Sequence, residues 1–371
     1  MQTEVAIIGG GLAGLYAGKL LHSRGISFTL IEARERLGGR ILTRDEEGTP
    51  TDDGFDLGPS WFWPEIQPRL AALVHELGLA TFSQHNEGEV IFERMSRETP
   101  WRYRATQQEP QSLRIAGGTG MLIRALEKQI PGDSILVGTR VRQMILAANE
   151  VSLSISKVDG TAHTLTAKQV IAAVPPRLLA KLAFSPGMDS VTEQRWKETA
   201  TWMAPHAKFF AIYERAFWRD AGLSGTAQSL VGPLGEIHDA TTASGKAALF
   251  GFPSVGADAR AAMGESAFAK SCLEQFARLY GPEARHPRAT LFKDWAADSL
   301  TATSDDRNGG THPKPFAAPW VNGDWQHFLS LGGSETSGTE PGYMAGAVSA
   351  AERAVDEVIQ RLQLTDRTPN K

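Results

Sequence analysis

Residues 4–40 read EVAIIGGGLAGLYAGKLLHSRGISFTLIEARERLGGR, and this stretch decides the fold. The apolar run Glu4–Ile8 predicts a strand, a glycine-rich turn at 9–14 follows it, and Leu15–Arg24 predicts a helix. A second strand is predicted over Ser27–Ile31. Strand, glycine-rich turn, helix and strand in this order predict a parallel α/β core of the Rossmann type.

The turn carries the G-x-G-x-x-G spacing at Gly9, Gly11 and Gly14. Gly9 permits the tight turn, Gly11 lacks a side chain that would keep a pyrophosphate away from the backbone, and Gly14 lets the helix pack on the strand. The helix N-terminus supplies N–H groups and partial positive charge. Glu32 lies 18 residues after Gly14, near the offset of about 20 expected for a ribose-binding carboxylate. A dinucleotide site is predicted, and a tight turn without a ligand is the alternative.

Composition and charge exclude several other classes of function. The 371 residues are enough for two domains, and a net charge of −4 without long single-sign runs argues against a nucleic-acid partner. Cys272 is the single cysteine, so neither an intrachain disulfide nor a cysteine-rich metal site is expected, and we expect no metal. No apolar run reaches the ~18 residues needed to span a bilayer, and no signal peptide precedes the first predicted strand. We therefore expect a soluble, cytoplasmic protein without a membrane partner.

The middle and the end of the chain add further predicted elements. Val141–Leu146, Val151–Ser156 and Thr161–Leu165 alternate between apolar and polar residues, which predicts an antiparallel sheet. Val170–Val174 predicts a buried strand, and Gly342–Leu362 predicts a final helix with apolar residues at helical spacing.

A second motif follows Glu32 directly and reads EARERLGGR at 32–40, with Ala33, Arg34, Gly38, Gly39 and Arg40 as its characteristic members. A Gly-Gly pair flanked by arginines offers further N–H groups and charges to the same pyrophosphate. This resembles the second fingerprint of FAD-dependent amine oxidases, which reads much like E-A-R-x-R-x-G-G-R. The alternative is a basic surface loop.

A third motif lies near the C-terminus, where LGGSET at 331–336 and PGYMAGAV at 341–348 resemble A-G-T-E-T and G-Y-M-E-G-A-V. With three fingerprints in order, the chain is identified as a short member of the flavin-containing monoamine oxidase family. The resemblance implies FAD as the cofactor. Gly333 would let the backbone approach the ribityl chain, Glu335 would accept hydrogen bonds from its hydroxyls or from water, and the N–H of Met344 would point at the flavin. The resemblance also implies that the backbone of Val141 binds the adenine.

Lys208 and Tyr343 are the main chemical candidates that the resemblance indicates. Lys208 opens the run AKFFAIYERAFW at 207–218. The matching lysine of the family holds a water against flavin N5 and assists the reaction with O₂, since a cation stabilises the negative charge that develops. Tyr343 matches one wall of an aromatic cage that orients a neutral amine. The alternatives are a lysine whose ammonium reaches solvent or an acid, and a tyrosine that packs at a helix start.

The chain departs from the family in the segment after Trp295. The second cage tyrosine belongs there, as does the cysteine that links the flavin covalently in membrane-bound relatives, but residues 300–305 read LTATSD. We therefore expect a noncovalent FAD and a rebuilt cage. Trp295, Trp320 and Trp325 are candidates for the lost wall, and Trp295, which resembles a family tryptophan near the flavin ring, is the first choice.

The segment DLGPSWFW at 56–63 resembles the family's cavity-lining D-L-G-G-x-W, which places Gly58 with the cofactor-binding residues. Amino-acid oxidases of this superfamily often have an arginine here that holds a carboxylate. This chain has Trp61, which favours an apolar or aromatic amine over an amino acid. The alternative is that Trp61 belongs to the core.

The predicted architecture is α/β, with a Rossmann-type FAD-binding domain interleaved with an α+β substrate domain on a mixed or antiparallel sheet. The FAD-binding domain is expected over 1–80, 114–190 and 297–371, and the substrate domain over 81–113 and 191–296. The long stretch Ser299–Pro319 is predicted to be a loop. A monomer and a homodimer both stay open.

The resemblance implies an FAD-dependent amine oxidase. A hydride passes from the α-carbon of a primary or secondary amine to flavin N5, the imine hydrolyses, and O₂ is reduced to hydrogen peroxide. Two alternatives remain open at this stage: an FAD-dependent desaturase or oxidase acting on C–C bonds, and a noncatalytic flavoprotein subunit.

Overall fold

The structure is a computed structural model that describes residues 1–104, 110–307, 312–316 and 319–366. The chain forms two compact units. Unit 1 contains Met1–Arg40, Leu122–Trp202 and Gly310–Lys371, and unit 2 contains Ile41–Met121 and Met203–Gly309.

The strands, in chain order, are β1 (Gln2–Ile8), β2 (Phe28–Ile31), β3 (Thr43–Arg44), β4 (Phe55–Asp56), β5 (Thr81–Ser83), β6 (Glu89–Glu93), β7 (Trp101–Arg104), β8 (Leu113–Ile115), β9 (Ile135–Leu136), β10 (Thr139–Ala147), β11 (Glu150–Lys157), β12 (Ala162–Ala172), β13 (Ala183–Ser185), β14 (Ala207–Tyr213), β15 (Leu223–Ser229), β16 (Leu234–Asp239), β17 (Ala247–Pro253), β18 (Ala289–Asp294) and β19 (Leu329–Leu331). The α-helices are α1 (Leu12–Ser23), α2 (Pro68–Glu76), α3 (Gly120–Glu127), α4 (Pro176–Leu179), α5 (Ser190–Glu198), α6 (Phe217–Asp220), α7 (Ala257–Met263), α8 (Glu265–Tyr280) and α9 (Met344–Asp366).

Unit 1 is built on a mixed sheet in the order β13-β10-β11-β12-β1-β2-β9, with β19 also paired to β12. β1 lies between β12 and β2 and is parallel to both. Its residues Val5–Ile8 are buried, as expected for a parallel strand covered on both faces. Helices α1 and α9 pack against each other. The glycine-rich turn thus connects the carboxyl end of a central strand to the first helix, which is the predicted Rossmann arrangement.

Unit 2 is built on a sheet in the order β18-β14-β17-β16-β15-β6-β7. Its pairs are antiparallel except for β15 with β6, which are parallel. Every residue of β14 is buried, and side chains alternate between the faces of a strand. Phe209 packs in a core cluster with Phe268 and Phe276 of α8, whereas Phe210 packs in a different cluster with Phe250. Alternation places Lys208 on the Phe210 face.

The predicted α/β fold, with an interleaved chain and a mixed sheet in each unit, is confirmed. The two units nevertheless divide the chain at other points than the predicted domains, because residues 41–80, 114–121 and 297–309 fall in unit 2 and residues 191–202 fall in unit 1. One cause is a buried set of hydrogen bonds by which Asp56 holds Thr43 and Thr119 together. The assignment of FAD and substrate to particular domains stays a prediction.

The short strand β4 is limited to Phe55–Asp56, since a bend precedes it and Gly58-Pro59 follows it. The predicted loop Ser299–Pro319 contains a short 3₁₀ turn at Ser304–Asp306, and its residues 308–311 and 317–318 lie outside the described part, as does the tail 367–371. No helix within the described ranges is both long and apolar enough to cross a membrane.

Candidate active site

The three glycines of the first loop differ in what the protein itself demands of them. Gly9 has a φ of +106°, and a Cβ there would lie 2.7 Å from the carbonyl oxygen of Ala173. A Cβ on Gly14 would lie 1.9 Å from the carbonyl oxygen of Gly9. At Gly11 the nearest atoms to a Cβ would be 3.9 Å away, in Gly38 and its neighbour. Packing therefore requires glycine at two of the positions, and the third leaves the backbone open to a ligand, which fits a pyrophosphate.

Glu32 is held rigidly at the end of β2. It is 4% exposed, its Oε2 accepts a hydrogen bond from the Gly10 N–H at 2.7 Å, and its Oε1 accepts one from the Arg34 N–H at 2.8 Å. Each carboxylate oxygen can accept a further hydrogen bond. With Ala33 adjacent in the chain, this arrangement fits a ribose-binding carboxylate.

The second predicted loop lies directly beside the first. The Gly38 N–H donates to the Gly10 carbonyl at 2.8 Å, and a Cβ on Gly39 would lie 3.3 Å from the Cα of Gly11. The guanidinium of Arg36 donates to the carbonyls of Leu37 and Gly39, at 3.1 and 2.9 Å, and so closes the loop. The sequence-predicted sets of N–H groups are therefore brought together within unit 1.

The C-terminal motif is joined to this loop by an ion pair. The carboxylate of Glu335 is fully buried and pairs with Arg40 and the hydroxyl of Ser334. Gly333 is required by packing, because a Cβ there would lie 2.7 Å from the Val174 carbonyl. Met344 is the first residue of α9. In the described structure Glu335 thus holds Arg40, while its predicted contact with the ribityl chain stays a prediction.

Val141 is a core residue by its side chain, which is 6% exposed and belongs to the hydrophobic cluster of unit 1. Its strand β10 pairs with β11 opposite Ile155, whereas the pairing of β10 with β13 runs only from Gln143 to Ile145. The backbone of Val141 is thus the part of the residue left for the predicted adenine contact.

Lys208 in unit 2 is buried, with 4% of its surface exposed. Its Nζ donates to the backbone carbonyl of Asp56 at 3.1 Å and to the hydroxyl of Ser60 at 2.7 Å. The ammonium does not reach solvent, so the alternative of a lysine that extends into water does not describe this residue. The acceptors that hold it are neutral.

Four aromatic rings surround the same ammonium, and we call them the aromatic box of unit 2. The Nζ lies 4.5 Å from the ring centroid of Phe250, 5.3 Å from that of Phe252, 5.8 Å from that of Trp61 and 5.9 Å from that of Phe210. Ring faces attract a cation by about 0.5–2 kcal/mol each, depending on desolvation. The box therefore offsets part of the cost of burying the charge.

Burial lowers the pKa of Lys208 to about 7, although the nearby charge of Asp56 raises it, and the charge of Arg114 lowers it further. A lysine with such a pKa exchanges its proton near neutral pH, where an ordinary lysine stays charged. Perturbed groups of this kind cluster at functional sites.

Trp61 joins the aromatic box to a polar neighbour. Its Nε1 donates to Oε1 of Gln84 at 2.8 Å, and its ring lies 4.8 Å from the ring of His238. His238 in turn accepts or donates a 2.8 Å hydrogen bond with Glu236. Trp61 is half-buried, so it lines an aromatic surface of unit 2 and is only in part a core residue.

Trp295 and Gly58 are close to each other in unit 2. The Trp295 Nε1 donates to the Leu57 carbonyl at 2.9 Å, beside the buried Gly58 in the turn after β4. The ammonium of Lys293 lies 4.5 Å from the Trp295 ring centroid. Trp295 is 6% exposed.

Tyr343 in unit 1 has aromatic neighbours that were not predicted from the sequence. Its ring centroid lies 4.8 Å from that of Trp202 and 5.3 Å from that of His312. Gly342 permits this packing, since its φ is +86° and a Cβ would lie 3.2 Å from the Trp202 ring. By contrast, Trp320 and Trp325 belong to the hydrophobic core cluster of unit 1.

The residues missed from the sequence are Ser60, Phe250 and Phe252 in unit 2 and Trp202 and His312 in unit 1. Ser60 lies within the quoted motif DLGPSWFW, and the two phenylalanines are two apart on β17, so they lie on one face. No local sequence pattern indicates that Trp202 and His312 lie close together, because 110 residues separate them in the chain.

Comparison with known proteins agrees with the geometry. The family model described as flavin containing amine oxidoreductase matches residues 94–359, and a model for an NAD(P)-binding Rossmann-like domain matches residues 7–77. Putrescine oxidase from Kocuria rosea is 23% identical, with 87% of this chain and 90% of that protein covered. Amine oxidase [flavin-containing] B from Homo sapiens is 24% identical, with 97% and 87% covered.

Among solved structures, cyclohexylamine oxidase from Brevibacterium oxydans IH-35A has a TM-score of 0.80 at 19% identity, with 97% of this chain and 99% of that chain covered. At that identity the likeness shows the fold. The first family model spans more than two thirds of the 371 residues. The chain belongs to the flavin containing amine oxidoreductase family.

Proposed function

We propose that this chain is an FAD-dependent oxidase of primary or secondary amines. When bound, FAD takes a hydride from the α-carbon of the amine and passes two electrons to O₂, so that hydrogen peroxide and an imine, which water hydrolyses, are formed. The family supports flavin chemistry on amines. One observation carries the choice of an oxidase: a buried lysine ammonium within an aromatic box.

Unit 1 supplies the groups that would hold FAD. Gly11 and the N-terminus of α1 offer an open backbone to the pyrophosphate, and the second loop adds the N–H groups of Gly38 and Gly39. Glu32 would hold the ribose of the adenosine part. Arg40, paired with Glu335, fixes the C-terminal motif against the loop.

Lys208 would assist the reaction with O₂. A cation stabilises the negative charge that O₂ gains when it is reduced, and this stabilisation is large where water does not compete. Ser60 and the Asp56 carbonyl orient the ammonium, and burial keeps it away from bulk water. These contacts support the role that the family resemblance assigns to Lys208.

The substrate we propose is an amine with an apolar or aromatic substituent. Trp61 lies among Phe250, Phe252 and His238 in unit 2, and aromatic walls bind apolar groups well. The relatives named above act on putrescine and cyclohexylamine, by their names. A neutral amine that has lost its proton before binding needs no protein base for hydride loss.

We propose that the FAD is bound noncovalently. Cys272 is the single cysteine of the sequence. It is fully buried in the core cluster around α8, and burial raises the pKa of its thiol. Heating or acid should therefore release all yellow colour into the filtrate and leave a chain of unmodified mass; flavin retained on the chain would contradict this part.

We further propose that the enzyme is soluble and cytoplasmic. The proposed partners are a small amine and O₂, with no nucleic acid and no membrane among them. The absence of disulfide-forming cysteine pairs in the sequence is consistent with a reducing compartment. Fractionation of cells should leave the protein in the cytosolic fraction, and recovery in a membrane or extracellular fraction would contradict the proposal.

The deciding experiment is anaerobic reduction of the purified yellow protein. A panel of primary and secondary amines should bleach the flavin, and re-aeration should restore the colour with release of peroxide. Bleaching by an unsaturated or saturated hydrocarbon substrate instead would favour the C–C desaturase. A flavin that no member of either panel bleaches would favour the noncatalytic subunit.

A further inference from the structure

Asp56 is a buried carboxyl group that the proposed mechanism does not use. It is 1% exposed and lies on β4, opposite Thr43 on β3. Its Oδ1 accepts hydrogen bonds from the Thr43 hydroxyl at 2.6 Å and from the Thr119 N–H at 2.8 Å. The Thr119 hydroxyl shares its proton between Oδ1 at 2.9 Å and the Pro59 carbonyl at 3.1 Å. Its Oδ2 has no hydrogen-bond partner within the described residues.

Burial raises the pKa of Asp56 above its usual value. The hydrogen bond from Thr43, the charge of Arg114, the Thr119 N–H and the charge of Lys208 act in the opposite direction and offset part of this cost. Donors that point at one oxygen stabilise a carboxylate more than a neutral acid. Such a carboxylate is fixed in one orientation and cannot turn away.

Among the charged groups around Lys208, Asp56 is the one of opposite charge that raises its pKa. Arg114 on β8 is buried, and its guanidinium donates to the carbonyls of residues 240 and 241. Lys293 is paired in register with Lys208 on β18, but its ammonium pairs with Asp298 at 3.2 Å. The charge of Arg114 disfavours a charge on Lys208.

Within the part of the chain that the structure describes, the other packed elements do not place a counter-charge directly against Lys208. β17 presents the rings of Phe250 and Phe252. On β16, His238 stacks on Phe250 at 5.4 Å between ring centroids, and its partner Glu236 is held by that histidine. The loop after β4 offers the neutral hydroxyl of Ser60.

We propose that Asp56 is a positioning residue of this enzyme, whose fixed, buried carboxylate favours the cationic form of Lys208. The same residue acts twice on the lysine, since its backbone carbonyl also accepts a hydrogen bond from Nζ. The proposal rests on the proposed function, because Lys208 is the lysine assigned there to the reaction with O₂. It adds the residue that sets the pH range in which that lysine works.

The test is a pH titration of Lys208 in the FAD-loaded protein by NMR of lysine labelled with ¹³C at Cε. The Lys208→Met variant identifies the signal. Asp56→Asn keeps an oxygen for Thr43 and Thr119 and puts an NH₂ group where Oδ2 had no protein partner. In this variant the midpoint should fall by about one pH unit, the low end of the effect of a nearby opposite charge.

Two further variants serve as a weaker perturbation of Asp56 and as a control. Thr43→Val removes one donor to Asp56 and should lower the midpoint by a smaller amount, which keeps the test available if Asp56→Asn does not fold. Glu93→Gln changes a buried carboxylate of the same unit that pairs with Arg278, and it should leave the midpoint in place. A midpoint that stays in both Asp56→Asn and Thr43→Val, or that falls equally in Glu93→Gln, would overturn the proposal.

A second readout separates this proposal from the proposed function. The midpoint of the pH profile of flavin reoxidation should follow the NMR midpoint in Asp56→Asn. If the NMR midpoint falls while the reoxidation profile stays, Asp56 controls the lysine's charge but not the reaction, and the positioning role is refuted. If Lys208→Met itself reoxidises at the normal rate, the proposed role of the lysine fails, independently of the NMR result.

Discussion

Replacement of Lys208 by methionine should slow flavin reoxidation much more than flavin reduction. Methionine keeps the length and apolar stem of the side chain but removes the ammonium that Ser60 and the Asp56 carbonyl hold at 2.7 and 3.1 Å. Loss of one fixed, desolvated charge-stabilising group costs about 100- to 1000-fold in rate. Amine reduction of the flavin should change by less than about threefold, since hydride loss from a neutral amine needs no cation.

The pH dependence follows from the lowered pKa of Lys208, which is about 7. Below pH 7 most of the lysine is cationic and the full difference between wild type and variant should appear. Above pH 7 the cation decreases about tenfold per pH unit, so the wild-type rate should fall toward that of the variant. Reoxidation in the variant should not show this titration.

Stopped-flow spectroscopy of the flavin absorbance checks both half-reactions. Protein reduced anaerobically by an amine is mixed with oxygenated buffer at several pH values. Lys246→Met is the matched control, because this half-exposed lysine of unit 2 pairs with Asp53. Equal reoxidation rates in wild type and Lys208→Met at pH 6 would show that Lys208 does not assist the reaction with O₂.

Three more outcomes are expected. Between pH 7 and 10.5 the unfolded chain keeps a proton on Lys208 that the folded chain has released. The free energy of unfolding of the wild type, relative to that of Lys208→Met, should therefore rise by about 1.4 kcal/mol per pH unit from pH 7 to 9. Denaturant titrations measure this difference, and parallel curves would contradict the lowered pKa. Gly11→Ala should weaken FAD binding at least about tenfold (~1.4 kcal/mol), while the apoprotein melts as before, because the nearest protein atoms are 3.9 Å from the new methyl group. Gly132→Ala, with no atom within 4 Å of its methyl group, is the control. Equal FAD affinity in the two variants would contradict the predicted pyrophosphate site at Gly11. Trp202→Ala should lower kcat/KM for bulky amines by about 2- to 10-fold, the value of an aromatic pair of about 0.5–1.5 kcal/mol, with unchanged FAD affinity; unchanged kcat/KM would show that the Trp202–Tyr343 pair does not face the amine.

The nucleotide-binding part of the fold was predictable from local sequence because each step there is local. A glycine that must turn, one that must admit a ligand and one that must pack on a strand follow each other within six residues, Gly9–Gly14. Glu32 follows at the end of the next strand.

The surroundings of the chemical residues were not predictable in the same way. Asp56 and Lys208 are 152 residues apart, and only the fold of unit 2 joins them. Sequence could place Lys208 at the start of an apolar strand but could not show that Phe250 and Phe252 on β17 face its ammonium. Trp202 was not predicted as a site residue for the same reason, because its contact with Tyr343 depends on long-range packing.

Peroxide stoichiometry shows directly whether the flavin-loaded chain oxidises amines with O₂. Oxygen uptake, hydrogen peroxide and the carbonyl product are measured together with the amine that bleaches the flavin fastest. We expect one peroxide and one aldehyde or ketone per O₂ consumed. Amine oxidation that proceeds without oxygen uptake, or oxygen uptake without a carbonyl product, would contradict it.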